Sequence, residues 1–324
     1  MMMCSSMRSV GAPSPTEKEG NVLEKKRIAV VGFGHVGCGA VEALEVAPDL
    51  ELAGVVLQDE GEIRRACCSL GSVPVVRHLA ELEKVDAALL AVPSRCVPKL
   101  APPILETGVA TVDCYDIHGD PLMTLRATLD PIAREHGTAA VISAGWDPGT
   151  DSVVRTLLEA LVPRGITYTN FGPGMSMGHT VVIKGFEGVE DALSLTIPKG
   201  CGLHKRYVYL KTRPGTDFDA LVARISQDPY FAHDEVHFFP CEDVQALVDT
   251  GHAVHLERRG SAGKTHNQKV DFLMSVTNPA ATGQVLVSAA RAALRQRPGA
   301  YTLPEIPPVD FLPGDRESLL HRLI

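Results

Sequence analysis

No stretch of this 324-residue sequence is apolar for long enough to cross a membrane: runs such as VDAALLAVP, Val85–Pro93, reach about half of the ~20 residues a spanning helix needs. The first 25 or so residues lack the ~7–15-residue apolar core of a secretory signal. Residues 1–25 read as a polar, disordered leader, and the protein is expected to stay in the cytoplasm. Eight cysteines include no CxxC pair and no framework spacing, so reduced thiols are expected rather than disulfides. Positive charge is not in excess: 31 Lys and Arg face 39 Asp and Glu, a net charge of −8, which argues against nucleic acid or an anionic membrane as the main partner. The P-loop and the GxSxG elbow are missing. His252-Ala253-Val254-His255 lacks the HExxH spacing, so no metal is expected.

What is present is the balance of an ordinary globular chain, 45% hydrophobic and 22% charged, with length for two domains. From Lys26 the segment RIAVVGFGHVGCGAVEALEVAPDLELAGVVLQD reads as buried strand, glycine turn, helix and second strand. Further strands fit Val85–Val92, Val109–Asp113 and Ala139–Ser143, with helices over Val97–Thr107 and Leu122–His136 between them. This alternation predicts an α/β fold with a doubly wound parallel sheet. After Pro148 the runs become longer and β-rich: Ile166–Phe171, Leu193–Pro198, Arg206–Thr212, His252–Arg259 and Asn267–Val276. They predict a second, α+β domain on a mostly antiparallel sheet. The alanine-rich stretch Pro279–Gln296 has helical spacing and is expected to pack back on the first domain.

Gly32-Phe33-Gly34-His35-Val36-Gly37 is a GxGxxG sequence placed between a strand and a helix, where the glycines permit a tight turn, close approach to a pyrophosphate and close helix–sheet packing. Asp59 stands where a ribose-binding carboxylate is expected, ~20 residues further on, or is a solvated loop residue. An acidic group there suits NAD; Arg64 and Arg65 could instead reach a 2′-phosphate. Asp116, in DCYD, and Asp147, in GWDPG, fall at strand ends, where open α/β sheets bind ligands, and together could hold a substrate ammonium. Trp146, the only tryptophan, is either core filler or an apolar wall. Phe171–His179, FGPGMSMGH, is too glycine-rich for a regular element and reads as a loop whose N–H groups could cradle a carboxylate.

Together VISAGWDPGTDS, NFGPGMSMGH, TVDCYDIHGD and PGAYTLPEIPPVDFLPGDRE resemble the meso-2,6-diaminopimelate dehydrogenases, from about Arg27 to the C-terminus. Val92-Pro93-Ser94-Arg95 resembles the subgroup in which some members accept other D-amino acids. The resemblance implies a Rossmann-like dinucleotide-binding domain over 26–147 completed by about 280–324, a substrate-binding and dimerisation domain over 148–279, and a homodimer. It implies that Asp116 and Asp147 hold the reacting D-centre beside Trp146, with the backbone at Met177 and Gly178 on its carboxylate. Phe171 and Met177 would line the pocket. Thr196, Arg206 and His252 would hold the distal carboxylate, and Asn278 would lie near the distal amino group. The implied coenzyme is NADP, held at Gly32–Gly37 and Val92–Arg95; Leu57-Gln58-Asp59 replaces the basic residues of NADP-using members, which keeps NAD open. The implied reaction is reversible oxidative deamination of the D-centre to L-2-amino-6-oxopimelate and ammonia. A broad D-amino acid dehydrogenase and a dinucleotide-sensing regulator are the alternatives.

Overall fold

The computed structural model describes residues 24–228, 231 and 234–324, and at 177, 178 and 248–250 the backbone alone. All but the last two residues of the expected leader lie outside the described residues. The first half of the chain alternates β1 (Lys26–Val31), α1 (His35–Glu45), β2 (Leu50–Val56), α2 (Glu60–Leu70), β3 (Val75–Val76), β4 (Ala87–Leu90), α3 (Val97–Leu105), β5 (Ala110–Asp113), α4 (Asp120–Glu135) and β6 (Ala139–Ile142). There follow α5 (Thr150–Leu161), β7 (Arg164–Phe171), β8 (Gly174–Met175), α6 (Met177–Lys184), β9 (Val189–Gly200), β10 (Leu203–Thr212), α7 (Phe218–Ser226) and β11 (Val236–Pro240). The chain closes with β12 (His252–Ala262), β13 (Thr265–Val276), α8 (Asn278–Ala293), β14 (Gly299–Thr302) and α9 (Arg316–Leu323).

The parallel sheet has the order β14-β6-β5-β4-β1-β2-β3. Its strands are apolar on both faces because both are covered. Along β1, Ile28 and Val30 pack with Leu44 of α1 and Leu286 of α8, while Ala29 and Val31 point the other way, toward Leu105 of α3 and Leu129 of α4. The α8 helix lies on this sheet, and β14 adds a strand beside β6. This is the expected doubly wound α/β layer.

The β-rich half forms two sheets instead of one: β11-β10-β9-β8 and β13-β12-β7. Their pairings are antiparallel except β10 with β11, which is parallel. The glycine-rich segment at 171–179 is more regular than expected, since Gly174 and Met175 pair with β9 and α6 starts at Met177. The α2 helix was not anticipated. It buries only Ala66, its composition is mostly polar, and its start is set by the Asp59 side chain accepting the Glu62 N–H. Among the described residues, no helix is long and apolar enough to cross a membrane.

Candidate active site

Gly32 ends β1 at φ +94°, and a Cβ there would stand 2.4 Å from the Ala91 carbonyl oxygen; one on Gly37 would stand 2.3 Å from the Gly32 oxygen. Gly34, by contrast, faces open space and begins α1 with no side-chain cap. The turn therefore presents bare backbone and unpaired N–H groups at a helix N-terminus, a cradle that fits a pyrophosphate. Exposed His35 opens α1, and half-buried Val36 lines the same small cavity as Asp116.

Beside the turn runs a cleft of about 350 Å³ lined by Gly32, Asp59, Arg77 and Val92 among others. Asp59 is an exposed residue at the N-cap of α2, where its Oδ1 accepts the Glu62 N–H at 2.9 Å, and it also lines the cleft. Arg64 and Arg65 are exposed on α2 and do not line this cleft, whereas Arg77, which sequence reasoning missed, does. Its Nη1 donates to the Gln58 carbonyl at 3.1 Å and its Nη2 pairs with Glu60. Of the Val92–Arg95 group, Val92 lines the cleft while Pro93 and Arg95 are exposed. Ser94 instead meets Asp116, its Oγ donating to Oδ1 at 2.5 Å and accepting the Asp116 N–H at 3.1 Å.

Asp116, Trp146, Asp147, Asn278 and Val36 line a small cavity of about 140 Å³ at the carboxyl ends of β5 and β6. Asp147 is almost covered, and Arg155, two turns along α5, donates to its Oδ1 at 2.8 Å. Asp151 lies fully buried alongside. Neither of its oxygens has a hydrogen-bond partner, and Arg155 Nη2 stands 3.9 Å away. Burial, and then the Asp147 charge, push the Asp151 carboxyl up to about 7. Asp113 has a structural place: buried, it accepts the N–H groups of Tyr115 and Ser143 and so ties the ends of β5 and β6. Burial raises it to about 6, and burial with the Asp113 charge raises the Cys114 thiol to about 12, leaving no thiolate at neutral pH.

A second cavity, of about 300 Å³, is lined by Trp146, Phe171, Thr196, Arg206, His252 and Asn278 among others. The β9–β10 register sets Arg206 directly opposite Thr196, and Nη1 donates to the threonine Oγ1 at 3.1 Å. Trp146 meets Phe171 and His252 edge to face, with centroids 6.3 and 6.2 Å apart, and both walls the cavity and packs against the core residues Leu158, Val254 and Leu256. His252 is buried with Nδ1 unpartnered, and burial lowers its pKa, so the neutral ring offers one N–H donor. Asn278 accepts from Thr282 Oγ1 at 2.8 Å and lines both cavities, as does Trp146. Met177 and Gly178 open α6; their side-chain surroundings lie outside the described residues. Asp234 pairs with Arg206, and His204 lines the cavity. His204 belongs to the cationic run His204-Lys205-Arg206, a signal the sequence offers, and the i,i+4 spacing of Asp151 and Arg155 could have flagged the arginine. Nothing local marks Asp234, 28 residues beyond Arg206. Elsewhere His255, Glu257 and Asp271 come together, but Lys269 Nζ sits 3.4 Å from Glu257 and 3.1 Å from Asp271, so a cation already occupies that group.

Residues 145–278 match the family model of the diaminopimelic acid dehydrogenase C-terminal domain. The chain is 50% identical to the meso-diaminopimelate D-dehydrogenase of Bacteroides fragilis, over 93% of this chain and 100% of that protein. The Corynebacterium glutamicum DAP dehydrogenase, solved in complex with DAP, superposes with a TM-score of 0.76 at 25% identity, covering 93% of this chain and 99% of that one. An engineered D-amino acid dehydrogenase superposes at 0.82 with 26% identity, covering 93% of this chain and 100% of that one. Identity across nearly the whole of both sequences, on a fold with a glycine cradle at the head of its parallel sheet, leads to one conclusion: the chain belongs to the meso-diaminopimelate D-dehydrogenase family.

Proposed function

We propose that the protein catalyses NADP-dependent, reversible oxidative deamination of the D-centre of meso-2,6-diaminopimelate, giving L-2-amino-6-oxopimelate and ammonia. The observation that carries this reading is the pair of cavities joined by Trp146 and Asn278, one walled by two aspartates and the other by Arg206, Thr196 and His252. A short diacid with an ammonium beside each carboxylate matches that division of charge. When bound, the coenzyme supplies the hydride acceptor. This chain's residues bind and orient the substrate and move protons. Hydride leaves only from a carbon bearing a neutral amine, so Asp116 or Asp147 accepts the ammonium proton. Ser94 aims Asp116 and Arg155 aims Asp147. The two ends of the substrate carry identical groups, so the distal contacts choose which end reacts. The Arg206 guanidinium and the neutral His252 N–H are the donors for that carboxylate, with Asn278 near the distal amine and the backbone at Met177 and Gly178 on the proximal carboxylate.

For the coenzyme, Arg77 supports NADP as the cation within the cleft beside Asp59. A homodimer built on the second domain is part of the same reading, with Leu157 and Leu161 of α5 and Ile166 of β7 as exposed apolar side chains for its interface. The cytoplasm is its place of action. The test is coenzyme reduction with meso-diaminopimelate, run separately with NADP and NAD. Turnover should be faster with NADP; none with either would overturn the reaction, and a preference for NAD would overturn the role of Arg77.

A further inference from the structure

Arg206 is already engaged from within the protein, through three of its five N–H donors. Nε donates to Oδ2 of Asp234, Nη1 to Thr196 at 3.1 Å, and Nη2 meets His204 Nε2 at 3.3 Å. Asp234 comes from the segment between α7 and β11, and its Oδ2 also stands 3.7 Å from His179 Nε2. The arginine is almost covered, with 9% of its side chain exposed, while the aspartate keeps 24% and so has water to move into. A guanidinium in so covered a place is costly without a carboxylate, and a carboxylate already there repels a second one.

We propose that Asp234 is a built-in competitor for the substrate's distal carboxylate, and so sets how strongly the enzyme favours a diacid over a D-amino acid without a second acidic group. This rests on the reading that Arg206 holds the distal carboxylate. With a substrate such as D-norleucine bound, Asp234 stays on Arg206 and no charge is left unpaired. A diacid must displace it, exchanging one ion pair for another, and most of the distal attraction cancels. The levelling favours breadth of substrate over discrimination.

The test is steady-state kinetics of Asp234→Asn with meso-diaminopimelate and with D-norleucine. Losing the competing charge should lower the KM for diaminopimelate about five- to tenfold and raise the ratio of its kcat/KM to that of D-norleucine by about as much. Asp234→Glu, which keeps the charge, should hold the ratio near wild type, and melting curves show that both variants are folded. A raised diaminopimelate KM in Asp234→Asn would mean that the aspartate orients Arg206 for substrate, and an unmoved ratio that it does not compete; either overturns the proposal. Arg206→Ala separates the two layers. If it leaves the diaminopimelate KM at the wild-type value, the distal-site reading itself fails. If it raises that KM while Asp234→Asn leaves the ratio unmoved, only the competitor role fails.

Discussion

Asp151 shows how a single buried carboxyl takes its properties from what surrounds it. It has no hydrogen bond to its oxygens, a like charge nearby on Asp147, and one arginine shared between the two. Because the native Asp151 is raised to about 7 from an ordinary 3.8, the folded state binds the proton more tightly than the unfolded chain between those values. Its contribution is therefore fully present below about pH 4 and is lost as pH rises through 7. Asp151→Asn, which cannot ionise, should melt higher than wild type at pH 8, by about 1 kcal/mol once the offset from Arg155 is allowed for, with the gap narrowing through pH 5 and closing only below about pH 4. A gap that is constant, or that widens toward acid, would contradict this origin of the shift.

Between elements, close approach decides what can sit where. The α8 helix reaches the parallel sheet by crossing α1 at two glycines: a Cβ on Gly283 would lie 2.4 Å from the Gly39 carbonyl carbon and 2.5 Å from the Ala40 nitrogen. Neither atom can swing aside, because both are backbone. Gly283→Ala should therefore cost about 1–3 kcal/mol in a denaturant melt, as overpacked interiors do, despite the better helix propensity of alanine. An unchanged midpoint would mean that the two helices part without penalty. The same crossing carries Asn278 and Thr282, at the start of α8, onto the wall of the aspartate cavity. Arg291, further along α8, anchors it through two 2.6 Å contacts to both oxygens of Asp49.

For the whole molecule, the lone tryptophan is a natural reporter because it lines both cavities. Meso-diaminopimelate should shift or quench its emission saturably, and Trp146→Phe should abolish the signal; unchanged emission at saturating substrate would place the ligand elsewhere. Much of this architecture was legible beforehand. The apolar runs of β1, β2, β4 and β6 are local facts, since a strand buried on both faces is apolar along most of its length, and the glycines at 32, 34 and 37 announce a turn that only bare backbone allows. Helices such as α2 escaped because they bury little. The residues that fill the cavities were named in advance, but their neighbours were not: Asp234 against Arg206, Arg155 across Asp147, Ser94 turned to Asp116, and Arg77 in the cleft in place of Arg64 and Arg65. The sequence by itself determined the repeating strands and helices and the types of chemical group available, because those depend on periodicity and on side chains within a turn or two. Which charge faces which was decided only by the tertiary structure, because ion pairs and cavities form between residues tens of positions apart, where neither spacing nor propensity carries information.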